Sequence, residues 1–427
     1  MSYRIAGIDV HKKMLAVTVA NVEVEGEWRF ERRQFGTSLS QLRVLAEWFA
    51  ELEVEEVVME STAQYWRPVW DTLERHWQPT RRTRVSSGPT SGALHLAQAQ
   101  SNTGPRGRKK DFPDAERLVK RLVAQELTLS FVPDVTQRLW RTVTRRKYQL
   151  TCNRVQLRNR LECLLEEAHI KVSSLVSDLL GLSGRRMLRA VASGETEPAT
   201  VAALGSPRLH ATPDQLRDAL GACIALDPVY RRILTMTLDE LDLIEAHIQQ
   251  LDEELARLLR VHQDAVERLA AVPGLGLDSA QPIIAEVGPM AATFATAKRL
   301  ASWVGACPGH DESAGVNHSH RSPNGNRQMR RLLNQAANAA VKTKGSLFEL
   351  VYRRLVLRLG HAQAIGAISH RLCRLVWKIL HDGVAYEERG PAVTKARAQR
   401  RAAKMIRELR SLGYRVEGGL SQASAPA

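Results

Sequence analysis

Apolar and polar positions alternate from the first residues of the chain, and a helical period replaces this alternation further on. Arg4-Ile5-Ala6-Gly7-Ile8-Asp9-Val10-His11-Lys12 runs an apolar segment into a single carboxylate, and a second β-rich run, Met14 to Val24, follows at once. The pair reads as the first strand of a sheet turning back on itself. Ser40 to Leu52 has the helical period, with Leu42, Leu45, Trp48, Phe49 and Leu52 on one face. Val54-Glu55-Glu56-Val57-Val58-Met59 reads as a buried strand ending at Glu60, and Ser61 to Pro68 opens another helix. Thr83 to Ser86 reads as a further short strand, and a small helix is expected around Leu94. Asn102 to Lys110 is a basic, Gly-rich loop. Pro113 near a first turn marks a helix start at Asp111-Phe112-Pro113-Asp114.

The pattern then lengthens. Thr136 to Val172 reads as one long helix with a stripe of Leu139, Val143, Leu150, Leu157, Leu161 and Leu164, its other surface crowded with arginines. Pro228 to His262 reads as a second, in which Leu241, Ile244, Ile248, Leu251, Leu255 and Leu258 recur at coiled-coil spacing. The two pair either as an intrachain hairpin or with other subunits, and the pattern does not choose. Between them lies a Gly/Pro-punctuated helical insert at about 173–226. From Leu269 small amphipathic helices continue to about Gly383, before a basic helical tail (Lys395 to Arg410) and a small-residue end expected to be disordered.

Charge narrows the partners. Sixty-one Lys and Arg against 46 Asp and Glu give a net charge of +15, so a polyanion is expected, and nucleic acid before a membrane surface. No apolar run reaches the roughly 18–20 residues of a membrane-spanning helix, and the start of the chain has no signal-peptide pattern. The five cysteines are scattered without C-x-x-C spacing, which argues against a disulfide framework and a zinc site. The expected location is the cytoplasm, in association with the nucleoid.

Four acids stand out by position. Asp9 lies in the first strand, facing opposite to Ile8 and Val10; Glu60 closes a buried strand; Asp111 and Asp114 share a helix face near its positive end. A carboxylate buried in a strand is costly unless it binds something, and a divalent metal is the usual answer. Two such ions about 4 Å apart are the usual apparatus for in-line attack on phosphodiesters. Taken singly, Asp9 reads equally as an edge-strand or turn acid, Glu60 as a solvated strand end, Asp111 as an N-cap and Asp114 as a first-turn acid. The set beside a basic loop (Arg106, Arg108, Lys109, Lys110) points to a metal-dependent nucleic-acid enzyme.

A second candidate site is the polar loop around Ser313, flanked by small residues. Arg321, Arg327, Arg330 and Arg331 are available there to neutralise a phosphate, and a helix N-terminus adds donors. A serine nucleophile needs a base or a metal; His310, His318 and His320 lie nearby, though loop serines are more often turn or cap residues. The Pro-Gly-Leu-Gly turn at 273–276 either offers backbone N–H groups of Gly274 and Gly276 to phosphates or is an ordinary helix–helix turn.

Gly-Ile-Asp-Val-His-Lys (7–12), Met-Glu-Ser-Thr (59–62) with Tyr-Trp-Arg-Pro-Val-Trp (65–70), Gly-Arg-Lys-Lys-Asp-Phe-Pro-Asp-Ala-Glu (107–116), Val-Pro-Gly-Leu-Gly (272–276) and Cys-Pro-Gly-His-Asp-Glu-Ser-Ala-Gly (307–315) occur in order. Together they closely resemble the DEDD transposases of the insertion-sequence-110 family, relatives of the Piv-type DNA invertases. The resemblance covers residues 1 to about 385. It implies a RuvC-like (ribonuclease H fold) α/β domain at 1–132, with Asp9, Glu60, Asp111 and Asp114 as its metal site for Mg²⁺ (or Mn²⁺). The apolar spacing gives coiled-coil helices at 133–265, and the resemblance implies a mostly α-helical C-terminal transposase domain at 266–385 that supplies Ser313 as nucleophile; residues 386–427 form the tail. It also implies a covalent phosphoserine intermediate, double-stranded donor and target DNA, a structured bridge RNA as guide, and a homo-oligomer from dimer to tetramer. Where the family usually has Thr before the third carboxylate, Lys110 stands here. A Piv-type invertase, a junction-resolving nuclease using water, and a non-catalytic RNA-binding scaffold remain the alternatives.

Overall fold

A computed structural model describes residues 3–22, 28–60, 63–79, 93–102, 111–309, 312–313, 316–317 and 322–388, with a few positions of the tail. It divides into two units, residues 1–261 with 285–288, and residues 262–284 with 289–427.

The first unit is built on a five-stranded sheet. β1 (Tyr3–Val10) pairs antiparallel with β2 (Met14–Val22), which pairs antiparallel with β3 (Arg29–Gly36). After α1 (Leu39–Glu51), β4 (Glu56–Glu60) lies parallel to β1 on its other side. After α2 (Trp66–His76), β5 (Leu94–Ala97) lies parallel to β4, giving the order β3-β2-β1-β4-β5. The strand period divides the core. Ala6, Ile8 and Val10 face Leu42, Leu45, Phe49, Val69 and Leu73 of α1 and α2, while Ile5 packs on the opposite face with Val119 of α3 (Asp111–Val123). Gly7 explains how closely α3 lies: a Cβ there would stand 2.3 Å from the Ala115 carbonyl oxygen and 2.8 Å from Val119 Cγ2. Arg32 of β3 donates to Glu116 at 2.6 Å and ties α3 to the sheet.

Leu94 lies in a strand and not in a small helix, because Leu94 and Leu96 alternate into the core beside β4. β3 escapes a hydrophobic reading because most of its side chains are exposed. The expected strand at Thr83 to Ser86 lies outside the described residues.

The long helices are α4 (Val135–Glu167) and, beyond three short helices, α5 (Leu182–Ala192), α6 (Pro198–Ala202) and α7 (Pro213–Ala219), α8 (Pro228–Leu258). They pair within the chain and run antiparallel: Lys147 meets Asp252, and Arg154 meets Glu245 at 2.6 Å. Leu150, Leu157, Leu161 and Leu165 pack with Leu234, Leu238, Leu241 and Ile244, each fully buried leucine contributing ~1.5–3 kcal/mol. The short helices of the insert close over the same core through Met187, Leu188, Val201 and Leu216.

The expected stripe fails over the first turns of α4. Leu139 is 53% exposed, and the buried face carries Gln137, Trp140, Arg141 and Thr144. Gln137 Nε2 and Arg141 Nε donate to the Ala285 carbonyl oxygen at 3.0 and 3.1 Å, and Arg145 grips both oxygens of Glu286, which is 1% exposed. Burial lowers the pKa of Arg141 to about 10, against the opposing pull of Glu286. Polar side chains are tolerated inside because each carbonyl and carboxylate they meet is hydrogen-bonded.

The second unit is helical. α9 (Gln263–Ala270), α10 (Leu277–Val287, its last turn belonging to the first unit), α11 (Ala297–Val304), α12 (Arg327–Ala340) and α13 (Leu347–Leu359) precede α14 (His361–Asp382). α14 buries Ile365, Ile368, Leu372, Val376 and Ile379 at helical spacing among α9, α11, α12 and α13 and ends at Gly383, in the left-handed conformation that suits glycine. Between α11 and α12, β6 (Glu312–Ser313) and β7 (Val316–Asn317) form a short hairpin.

Candidate metal centre

The centre assembles at the carboxyl end of β1. Asp9 shares the α3 side of the sheet with Ile5 and Gly7, and its side chain is 14% exposed. β4 runs parallel with Ile8 opposite Met59, so Glu60 follows one step later beside Asp9. Met59 packs into the core on the α1–α2 side, which turns Glu60 to the α3 side. The contact at Gly7 holds the first turns of α3 over this strand end, with Asp111 and Asp114 both in the first turn. Asp111 is thus a helical residue rather than the N-cap. The turn after β1 adds a residue absent from the sequence-based set. His11 Nε2 lies 3.2 Å from Asp9 Oδ2 and 3.4 Å from Asp111 Oδ1, bridging strand and helix. Nothing in the sequence marked it, because a histidine after a strand is ordinary; the turn after β1 returns it to the strand end.

Asp9, His11 and Asp111 each offer a ligand atom, and these atoms lie within 4.8 Å of one another. Burial raises the pKa of Asp9 above the ordinary carboxylate value; His11 opposes the shift, and Asp114, Glu60 and Asp111 add to it. A carboxylate desolvated among three others is the arrangement a divalent cation relieves. The carboxylates fit one: oxygen ligands suit a hard cation such as Mg²⁺ or Mn²⁺, while the His11 imidazole is a ligand more typical of softer divalent metals. His11 and Asp111 are 45% and 46% exposed, so the centre is open on the side away from the sheet.

Glu60 and Asp114 are held from behind. Asn102, 3% exposed, donates from Nδ2 to Glu60 Oε2 at 2.8 Å, and Arg117 NH2 donates to Asp114 Oδ1 at 2.5 Å. The basic loop residues Arg106, Arg108, Lys109 and Lys110 lie outside the described residues.

In the second unit, Ser313 sits in β6 opposite Val316. His310, His318, His320 and Arg321 lie outside the described residues. Gly325 lies so close to α11 that a Cβ would stand 2.3 Å from the Val304 carbonyl oxygen, and His370 Nδ1 lies 2.6 Å from the Ala306 carbonyl oxygen. Arg327 is exposed at the start of α12, Arg330 donates to the Pro323 carbonyl oxygen at 3.1 Å, and Arg331 to Gln335 at 3.1 Å. Gly274 has φ +85°, and a Cβ there would stand 2.3 Å from the Ala336 carbonyl oxygen, so packing against α12 accounts for this glycine; Gly276 faces open space.

Two family models match the chain. A DEDD transposase model of the IS110 group matches residues 6–170, and the model described as "Transposase IS116/IS110/IS902 family" matches residues 266–353. The chain belongs to the IS110 family of transposases. Asp9, Glu60, Asp111 and Asp114 lie in the first matched segment and Ser313 in the second. Among curated relatives, an insertion element IS110 protein of 43.6 kDa from Streptomyces coelicolor is 29% identical over 143 residues, 33% of this chain and 35% of that protein. An insertion element IS900 protein of 42 kDa from Mycobacterium paratuberculosis is 28% identical over 158 residues, 36% of this chain and 38% of that protein. The matched segments thus span little more than a third of either relative's length.

Proposed function

We propose that the protein is a DNA transposase/recombinase of an insertion sequence, using a divalent-metal centre and a serine nucleophile. The observation that carries this reading is the convergence of Asp9, His11 and Asp111 at one strand end, inside the segment matched by the DEDD transposase model. The mixed sheet order β3-β2-β1-β4-β5, with Asp9 in its central strand, supports a RuvC-like domain at 1–132. The remaining regions are coiled-coil helices at 133–265, a transposase domain at 266–385 and a tail at 386–427.

Asp9, Asp111 and His11 would hold Mg²⁺ or Mn²⁺, with Glu60 and Asp114 completing the acidic set. A bound cation would supply charge neutralisation at a phosphodiester and stabilise the departing oxygen. Ser313 Oγ forms the new bond to phosphorus as the bond to the sugar oxygen breaks, leaving a phosphoserine link to one DNA end. Attack by a hydroxyl of the partner strand then returns the serine and joins the strands. Arg321, Arg327, Arg330 and Arg331 contact phosphates near this step, as do Arg106, Arg108, Lys109, Lys110 and the turn at Gly274 and Gly276 elsewhere. The working form is a homo-oligomer on donor and target DNA, guided by a structured bridge RNA. The net charge of +15 supports polyanionic partners. Among the described residues no helix is long and apolar enough to cross a membrane.

The test uses a supercoiled plasmid carrying the DNA that flanks the coding sequence, together with RNA transcribed from those flanks. With Mg²⁺ the wild-type chain should yield recombined DNA, whereas Asp9→Asn and Ser313→Ala should both yield none while retaining RNA binding. Strand cleavage persisting in Ser313→Ala but lost in Asp9→Asn would favour a nuclease with water as nucleophile, and normal recombination by Asp9→Asn would overturn the metal centre.

A further inference from the structure

Behind the metal centre lies a relay in which two side chains that no metal would touch, Asn102 and Arg117, join two of the acids. Asn102 ends a short helical turn after β5 and is 3% exposed. Its Nδ2 donates to Glu60 Oε2 at 2.8 Å, and its Oδ1 accepts from Arg117 Nε at 3.3 Å. Arg117 lies one turn into α3, and its NH2 donates to Asp114 Oδ1 at 2.5 Å. The relay Glu60–Asn102–Arg117–Asp114 therefore spans three elements, β4, the turn before the basic loop, and α3. Arg121, one turn further along α3, donates to the Ser101 carbonyl oxygen at 2.6 Å and anchors the turn that presents Asn102.

The chemistry of each link fixes its neighbour. A guanidinium only donates and an ionised carboxylate only accepts, so the amide between them must turn its oxygen to Arg117 and its NH2 to Glu60. No other side chain of this length does both: aspartate at 102 would accept from Arg117 but repel Glu60, and leucine would do neither. The buried amide has both its ends satisfied and cannot rotate without losing two hydrogen bonds in a place closed to water, a loss of ~1–3 kcal/mol for each group left unpaired. Two of the four acids are thereby locked to each other through protein atoms, while Asp9 and Asp111 are bridged on the open side by His11.

We propose that Asn102 and Arg117 are positioning residues of the metal centre, setting the side chains of Glu60 and Asp114 so that a divalent cation meets an assembled ligand set. The inference rests on the reading of the four acids as a metal site and adds residues that act only through other side chains. Residues that orient metal ligands in this way are commonly worth 10–100-fold in metal affinity.

Two substitutions isolate the relay from charge. Asn102→Leu leaves the net charge unchanged and is nearly isosteric; Arg117→Lys keeps the positive charge but lacks the fork that reaches Asn102 and Asp114 together. The experiment is titration of the full chain with Mn²⁺, read by the loss of the free-ion electron paramagnetic resonance signal, with circular dichroism and melting on the same samples. Wild type should bind Mn²⁺ and Asp9→Asn should not. Asn102→Leu and Arg117→Lys should each bind ~10–100-fold more weakly while keeping the wild-type spectrum. Binding of Mn²⁺ by either folded variant with wild-type affinity overturns the relay but leaves the metal site standing. Absence of wild-type binding, or binding unaffected in Asp9→Asn, overturns the metal site and the relay with it. If Asn102→Leu does not fold, Arg117→Lys decides alone, because its side chain lies at the helix surface and is 24% exposed.

Discussion

Asp9 owes its place to a strand period of two and to a glycine two residues before it. That Asp9 faces away from Ile8 and Val10 is legible in the sequence, because alternation assigns the sides before any partner is known. What alternation cannot give is the close approach of α3, which depends on Gly7 having no Cβ. Gly7→Ala would drive a methyl group against the Ala115 backbone at 2.3 Å. We expect a loss of ~1–3 kcal/mol, read as a lowered melting temperature, together with weakened Mn²⁺ binding as Asp111 moves away from Asp9. An unchanged melting curve with unchanged binding would contradict the packing account. His11 and Asn102 were not legible, since histidine after a strand and asparagine before a basic loop are ordinary residues there. Only the turn after β1 and the contacts of Asn102 with Glu60 and Arg117 give them meaning.

Among the elements, the long helices were legible in type and extent, but the face of α4 was readable only in part. From Leu150 onward the leucine stripe is the buried one, since α4 and α8 meet there as a hydrophobic pair. Over its first turns the buried side carries Gln137 and Arg141 against residues 285 and 286, nearly 150 positions away in sequence. A polar face paired with distant carbonyls leaves no periodic signal. The contrast gives a direct test. Leu139→Ala, at an exposed position, should change stability by less than ~0.5 kcal/mol, whereas Leu161→Ala should cost ~2–5 kcal/mol. Glu286→Ala should cost ~3–5 kcal/mol by leaving Arg141 buried without its carboxylate. Shifts in urea unfolding midpoint measure all three; a large loss in Leu139→Ala would restore the stripe that the structure rejects.

For the whole molecule, charge and motif order were the legible properties: a net +15, and five motifs whose described residues fall at strand ends, a helix start and turns. The two family matches cover residues 6–170 and 266–353 and leave the insert and the whole of α8 between them. Binding to nucleic acid should weaken steeply with salt, as counterion release requires. Ser313→Ala should keep the wild-type salt dependence, because it removes a hydroxyl and no charge; filter binding at graded salt would show it, and a changed slope would place Ser313 in binding rather than chemistry. The measurement that bears most directly on the account is mapping of the protein–DNA bond. Wild-type protein is incubated with Mg²⁺, the flanking RNA and a nicked plasmid bearing the flanking DNA, then denatured, digested with protease and nuclease, and analysed by mass spectrometry. The account predicts a nucleotide phosphate on Ser313, absent when Mg²⁺ is chelated and absent in Asp9→Asn; cut DNA with no protein attached, or a nucleotide on another residue, would contradict it.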